Sequence, residues 1–195
     1  YAALLADRPD CARRAADILM AYAAVYPTRP AEAEGRVRRY SLQEAIWVCE
    51  AATAADLVLA TDVLSADERQ RLCDGLLRPA AQTVKTDRRS RPGHKDGHHQ
   101  CYNFQAWHGA AVGLCGFALE DADLVAWAID GEYGFRHMVS HDLRDDGIFW
   151  ERSPGYHSFV ISASARLCEA AWRNGIDLWD LRVPDDSRED EWGSG

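Results

Sequence analysis

The stretch HGAAVGLCGFAL, residues 108–119, is apolar on more than one side when it is drawn as a helix. The stretch EAATAADLVLA, residues 50–60, has the same character. A helix that is apolar around most of its circumference is usually buried between neighbouring helices. The two stretches therefore predict paired helices with two buried faces, as in a bundle, a solenoid or a closed double ring of helix hairpins. No repeat of constant length is visible, which weakens the simple solenoid.

Apolar residues at three- and four-residue steps predict helices along nearly the whole chain. The expected helices cover residues 9–26, 41–63, 65–85, 103–119, 121–142 and the segment that ends at Gly175. Ser41 with Glu44, and Ser65 with Glu68, have the spacing of capping boxes, and Asp121 is placed to cap the next helix. No convincing alternating strand is present. The sequence predicts an all-α domain of about six helices, whose longest loop is residues 86–102.

Composition limits the class of protein. The 195 residues are 47% hydrophobic and 27% charged, which is ordinary for one globular domain with a core. The net charge of −9 argues against nucleic-acid binding, which needs a basic face. No apolar run approaches the roughly 18 residues that would span a bilayer. The six cysteines are scattered singly, which predicts buried free thiols rather than a disulfide framework.

One loop departs from the acidic average. Residues 85–99 carry five Lys and Arg side chains against two Asp, so this loop is predicted to attract an anionic ligand. His94, His98 and His99 in the same loop have a spacing that metal sites use. No Cys or carboxylate lies at a convincing distance from them, so we expect no metal and no cofactor in this domain.

The stretch DDGIFWERSPGYHSFV, residues 145–160, is hard to explain by packing alone. It places two large aromatic residues, a Glu-Arg pair and a Pro-Gly break directly before Tyr156 and His157. Packing interpretations compete with functional ones here. Trp107 and Trp150 could be core residues, Tyr156 a helix-start aromatic, and Asn103 a helix N-cap. Glu151 with Arg152 could be a solvated pair, and His108 and His157 could be buried histidines.

Four stretches resemble the toroid domain of the heparinase II/III and alginate lyase superfamily of polysaccharide lyases. They are AADILMAYAAVYP (15–27), SLQEAIWVCEAATAADLV (41–58), NFQAWHGAAVGLCGFALEDADLVAWAIDG (103–131) and DGIFWERSPGYHSFVISA (146–163). The resemblance implies an incomplete α/α toroid over residues 1–181, followed by an antiparallel β-sheet domain that is absent from this chain. Residues 182–195 are then an acidic linker or an end. The chain is accordingly expected to be a piece of a longer protein.

The resemblance also implies a reaction, the β-elimination of an anionic glycan that contains uronate. The family's Asn-x-x-x-Trp pattern falls on Asn103 and Trp107, and its Ser-x-x-Tyr-His pattern falls on Ser153, Tyr156 and His157. Asn103 would neutralise the carboxylate, and Tyr156 would act as base and acid. Alginate-cleaving members tend to have His after the Asn, where this chain has Phe104, whereas heparinase III-like members take a His from the sheet domain.

The resemblance thus predicts Asn103 and Tyr156 as catalytic residues. The expected substrate-binding residues are His99, Trp107, His108, Trp150, Glu151 and His157, with Phe149 and Trp150 forming a sugar platform. Two other functions stay open. A glycoside hydrolase on an α/α ring would need facing carboxylates, for which Glu151 and Asp146 are candidates. A non-catalytic glycan-binding or scaffolding helical domain is the second. The sequence does not indicate a cellular compartment.

Overall fold

A computed structural model describes residues 8–31, 35–87, 101–144 and 146–182, and it confirms the all-α class. Its helices are α1 (Pro9–Val25), α2 (Ser41–Leu59), α3 (Ala66–Leu72), α4 (Arg78–Thr86), α5 (Asn103–Leu119), α6 (Ala122–Ile129), α7 (Phe135–His141) and α8 (Pro154–Arg173). A single π turn, Cys73–Leu77, makes α3 and α4 continuous. Among these described residues, the one extended pairing is an isolated bridge between Leu143 and Phe149.

Helix α5 lies at the centre of the fold, as its apolar sequence predicts. It packs against α2, α4, α6 and α8. Two glycines allow the close approach of its neighbours: a Cβ on Gly113 would lie 2.4 Å from Leu167 Cδ1 of α8, and a Cβ on Gly116 would lie 2.9 Å from the Val125 backbone nitrogen of α6. Larger side chains at either position would push these helices apart.

Helices α2, α5 and α8 run in the same direction. At the start of α2, the Tyr40 ring meets the Phe104 ring of α5 at a centroid distance of 5.6 Å. Further along the pair, Asp56 and Phe117 line one pocket. Helix α8 follows α5 in the same way, because Phe159 lies 4.9 Å from Trp107 between ring centroids and Leu167 lies beside Gly113. The intervening helices return the chain, which is the hairpin arrangement of a toroid-like fold.

The stretch 121–142, predicted as one helix, is two. Helix α6 ends at Ile129 and α7 begins at Phe135. Gly131 and Gly134 make the intervening turn, where a Cβ would lie 2.4 Å from the Trp127 carbonyl oxygen and 2.8 Å from the Ile129 carbonyl oxygen, respectively. Periodicity alone did not expose this break, because apolar residues continue on both sides of it. The predicted cap is confirmed, since Asp121 Oδ1 accepts from the Leu124 amide at 3.2 Å.

Of the two predicted capping boxes, one is confirmed and one is wrong. Ser65 Oγ accepts from the Glu68 amide, and Glu68 Oε2 accepts from the Ser65 amide at 2.9 Å. Ser41, by contrast, is the first residue of α2 rather than its cap. The Glu44 carboxylate is fully buried and turns towards α1, where it accepts from the Tyr26 hydroxyl at 2.7 Å. A buried carboxylate needs several donors, and α1 with the following loop supplies them.

The expectation for the cysteines is largely confirmed. All six are free thiols, and Cys49, Cys101, Cys115 and Cys168 are buried, whereas Cys11 and Cys73 are partly exposed. Burial raises the pKa of Cys115 to about 12 and that of Cys168 to about 11. None of the described helices is both long and apolar enough to cross a bilayer.

Candidate active site

Five of the predicted site residues lie at or beside the starts of α5 and α8: Asn103, Trp150, Glu151, Tyr156 and His157. Between α7 and α8 the chain folds into a compact loop, in which the Arg144 amide donates to the Ile148 carbonyl at 3.0 Å. Gly147 has φ +78° and Arg152 has φ +54°, so the chain turns sharply at both positions. These turns bring Glu151 back onto the start of α5.

Asn103 and Glu151 form the central pair of the site. Asn103 is the first residue of α5, and it is 5% exposed. Its side-chain Nδ2 donates to both oxygens of the half-buried Glu151 carboxylate, at 3.0 and 3.3 Å, and its backbone amide donates to Glu151 Oε2 at 3.0 Å. The predicted N-cap role of Asn103 is wrong, because Tyr102 holds that position. The Asn103 amide points instead at a carboxylate.

The two predicted platform aromatics have different environments. Trp150 is half-buried, its indole N–H donates to the Cys101 carbonyl at 2.5 Å, and its ring meets Tyr102 edge-on at a centroid distance of 5.1 Å. Phe149 is fully buried, so it cannot form part of a sugar platform as expected. Its amide anchors the neighbouring histidine, because it donates to Nδ1 of His157 at 3.3 Å.

Tyr156 and His157 lie in the first turn of α8. Ser153 caps this helix by accepting from the Tyr156 amide at 3.4 Å. The Tyr156 side chain is 49% exposed. His157 is half-buried, and because its Nδ1 accepts a hydrogen bond, a neutral ring carries its proton on Nε2. The Tyr156 phenol and the His157 imidazole N–H donor therefore lie at the same end of the fold as Asn103 and Glu151.

Trp107 and His108 are buried behind this surface. Trp107 is 4% exposed, and its ring packs against Phe159. His108 is fully buried, with Nε2 2.7 Å from Ser41 Oγ. Both environments favour the packing interpretation over substrate binding. His99, with His94 and His98, lies outside the described residues.

Positive groups also gather at this end of the fold. Three parallel helices begin here, and each helix N-terminus carries partial positive charge and unpaired N–H groups. Exposed arginines flank these starts, Arg38 and Arg39 before α2 and Arg152 before α8. These positive groups lie at the same end as the Glu151 carboxylate on Asn103 and the buried Glu44 carboxylate at α2, and they offset that negative charge.

Two further residues beside the site were not singled out from the sequence. Asp142 is fully buried, and its Oδ2 accepts from the Cys101 amide at 3.1 Å. Burial raises the pKa of Asp142 to about 7. Burial and the adjacent Asp142 carboxylate raise the pKa of the Cys101 thiol. The two residues are distant in sequence, so no local motif could have indicated the pair.

The carboxylates considered for a hydrolase have other partners. Glu151 is bound to Asn103, while Asp146 Oδ1 accepts from the Ile148 amide at 2.9 Å inside the exposed turn. Facing carboxylates in a glycosidase must be available to the scissile bond and to water. The structure gives these two local roles instead.

Comparisons with known proteins support the alginate lyase part of the resemblance. A family model described as alginate lyase matches residues 2–188. An alginate lyase of Stenotrophomonas maltophilia (strain K279a) is 27% identical over 171 residues, which is 82% of this chain and 22% of that protein. An exo-oligoalginate lyase of Saccharophagus degradans is 27% identical over 158 residues, 75% of this chain and 20% of that protein. The chain therefore spans about a fifth of the length of these curated relatives.

Proposed function

The chain belongs to the alginate lyase family, and from that premise we propose that it carries a polysaccharide lyase site that cleaves a uronate-containing glycan by β-elimination. The observation that carries the proposal is the Asn103 side-chain amide, which donates to a carboxylate at the shared start of three parallel helices. The two relatives are named for activity on alginate or its oligomers. Alginate, a polymer of uronates, is therefore the substrate class tested first.

The reaction sets clear demands on the site. A base removes the proton at C5, beside the uronate carboxylate. The electron pair of the broken C5–H bond forms the C4=C5 double bond. The C4–O bond breaks, and the leaving oxygen takes a proton. Because negative charge develops on the carboxylate as C5 loses its proton, a preorganised donor lowers the barrier. An acid–base group must lie within reach of both C5 and the leaving oxygen.

Asn103 is the proposed donor to the uronate carboxylate. An amide nitrogen carries two hydrogens, so one hydrogen shared between the two Glu151 oxygens can hold Asn103 in place while the second serves the substrate. Glu151 is accordingly a positioning residue rather than a catalytic one. Arg38, Arg39 and the helix N-termini would supply long-range attraction for the anionic chain.

Tyr156 is the proposed base and acid. Its side chain is exposed, and within the described residues no hydrogen bond ties up its hydroxyl. His157, whose Nε2–H in the neutral tautomer has no acceptor among the described residues, is the proposed replacement for the histidine that alginate-cleaving members have where this chain has Phe104. The exposed part of the Trp150 ring is the proposed packing surface for a sugar ring. A β-sheet domain of the same protein would close the cleft.

Product analysis tests this proposal. The complete gene product is incubated with alginate, heparin, heparan sulfate, hyaluronan and chondroitin, and both ultraviolet absorbance of the new C=C bond and reducing ends are followed. We expect both signals to rise together on a uronate glycan, alginate first. Reducing ends without absorbance would indicate a hydrolase. Binding with neither signal would indicate a glycan-binding domain, and either result would overturn the proposal.

A further inference from the structure

A second group of reactive side chains lies behind the candidate active site. Cys101, His137 and Asp142 each offer one ligand atom, and these three atoms all lie within 4.8 Å of one another. Cys101 directly precedes the start of α5, His137 is in α7, and Asp142 follows the end of α7. Cys101 and Asp142 are fully buried, and His137 is half-buried. The fold thus gathers sulfur, nitrogen and oxygen donors from two elements.

An independent observation concerns one atom of this cluster, the second carboxylate oxygen of Asp142. Asp142 Oδ2 accepts from the Cys101 amide, but the buried Oδ1 has no hydrogen-bond partner in the part of the chain that the structure describes. Leaving a buried carboxylate oxygen without a partner costs free energy comparable to the desolvation of the group. Such an atom needs a proton or a cation, and a ring nitrogen and a thiol lie beside it.

We propose that Cys101, His137 and Asp142 bind a divalent transition-metal ion, with zinc as the ion they fit best. Thiolate, imidazole and carboxylate are the three ligand types that zinc uses in proteins. The thiolate makes Mg²⁺ and Ca²⁺ poor candidates, since these ions prefer oxygen ligands. One thiolate and one carboxylate also balance the charge of Zn²⁺. This inference is independent of the proposed lyase activity, and it departs from the absence of metal expected from the sequence.

The geometry needs only a small contraction. Zinc bonds of about 2.0–2.3 Å in a tetrahedral arrangement put ligand atoms roughly 3.4–3.8 Å apart. The observed spread of at most 4.8 Å therefore exceeds that arrangement by no more than about 1.0–1.4 Å. Three protein ligands leave a fourth position for water. Binding releases the thiol proton of Cys101 to solvent.

A metal ion here would fix the site residues through the backbone. The Cys101 carbonyl accepts from the Trp150 indole, and the Asp142 carbonyl accepts from the Trp150 amide at 3.0 Å. Cys101 also precedes Asn103 by two residues, and Glu151 follows Trp150 directly. The ion would thus clamp the start of α5 to the loop that holds Glu151 against Asn103.

Cobalt substitution tests the proposal without any activity assay. The 195-residue chain is stripped with a chelator, loaded with Co²⁺ alone and examined by absorption spectroscopy, and zinc content is measured on the untreated protein. We expect about one metal ion per chain, a thiolate-to-cobalt charge-transfer band, and the intense visible bands of tetrahedral cobalt. Zinc added afterwards should abolish these bands by displacement.

Matched cysteine variants identify the ligand. Cys101→Ser should lose the charge-transfer band, whereas Cys115→Ala, which alters another buried free thiol, should keep it. Asp142→Asn should weaken cobalt binding at least about tenfold. A folded wild-type chain that takes up no stoichiometric cobalt would overturn the proposal. A cobalt spectrum without the charge-transfer band, or a band that survives in Cys101→Ser, would overturn it as well.

Discussion

Asn103 donates to the Glu151 carboxylate with both its backbone N–H and its side-chain amide. Its backbone N–H belongs to the unpaired first turn of α5, and its amide lies beside it on the same carboxylate of Glu151. The Glu151 carboxylate is stabilised by the positive end of the helix, and it holds the amide in one orientation. Preorganisation of this kind is what a developing negative charge requires of its donor.

Replacing Glu151 by Gln tests whether it positions Asn103. The substitution removes the charge from the three hydrogen bonds that Glu151 accepts from Asn103, and a hydrogen bond to a charged group is worth about 1.5–3 kcal/mol. We expect kcat on the best substrate to fall about 10- to 100-fold, with a smaller change in KM, because the orientation of the amide matters most in the transition state. Steady-state kinetics of the complete gene product measure both parameters.

Glu50→Gln is the matched control, because Glu50 forms an exposed pair with Arg166 at 2.7 Å, away from the start of α5. Its kinetics should resemble those of the wild type. An unchanged kcat in Glu151→Gln would show that the carboxylate does not position Asn103.

The family resemblance implied Asn103, Tyr156 and His157 as site residues, but it did not indicate their partners. Glu151 is predicted to bind substrate, with a solvated pair with Arg152 as the alternative, and neither prediction includes its contact with Asn103, which spans 48 residues. The Asp142–Cys101 contact spans 41 residues. Such contacts depend on how helices pack in three dimensions, and helical periodicity carries no information about them. Phe149 was misplaced because its side chain turns inward while its amide serves His157.

The start of α2 shows how a buried charge links two elements. Glu44 accepts from the Tyr26 hydroxyl at 2.7 Å and from the amides of Val37 and Arg38 at 3.0 and 2.6 Å. Burial and the neighbouring Glu44 carboxylate raise the pKa of Tyr26, so the phenol stays protonated as a donor. The end of α1 is thereby joined to α2.

Tyr26→Phe should destabilise the fold by about 1–3 kcal/mol, since it removes one donor from a buried carboxylate. The free energy of unfolding from urea titration measures the effect. Tyr22→Phe serves as the comparison: Tyr22 packs on the same Trp47 ring, at 5.0 Å, and its hydroxyl has no hydrogen bond among the described residues. Equal stability losses in the two variants would contradict the role given to the Tyr26 hydroxyl.

Helix ends could be predicted from the sequence where short-range interactions determine them. The Ser65–Glu68 box, the Asp121 cap and the turn at Gly175, with φ +78°, all follow from short-range hydrogen bonding or backbone freedom. Ser41–Glu44 has the same spacing as Ser65–Glu68, yet tertiary contacts with Tyr26 take the Glu44 side chain away. The buried Glu44 carboxylate needs several donors, so its tertiary hydrogen bonds replace the local capping box.

At the scale of the whole molecule, the core around α5 should protect its thiols. The high pKa values of Cys115 and Cys168 leave little thiolate at neutral pH, and burial blocks access to it. We expect Cys11 and Cys73, which are partly exposed, to alkylate first in the native protein. The four buried cysteines should react only at the rate of global or local opening. Mass spectrometry of peptides after timed alkylation checks this order.

The whole-molecule arrangement also bears on function, because three parallel helices begin at one end with exposed arginines beside them. The apolar circumference of α5 allowed the buried helix layer to be predicted, and the resemblance supplied the ring arrangement. The sequence could not show that the starts of α2, α5 and α8 are adjacent, since this follows from the packing of Tyr40 on Phe104 and of Phe159 on Trp107.

The most direct test of the account compares alginate with carboxyl-reduced alginate. The rate of C=C formation is measured for the complete gene product and for its Tyr156→Phe and Asn103→Ala variants, with folding checked by circular dichroism. We predict double-bond formation on alginate only, and a loss of at least about 100-fold in each variant. Cleavage of the reduced polymer at a similar rate, or full activity in folded Tyr156→Phe, would contradict elimination at this site.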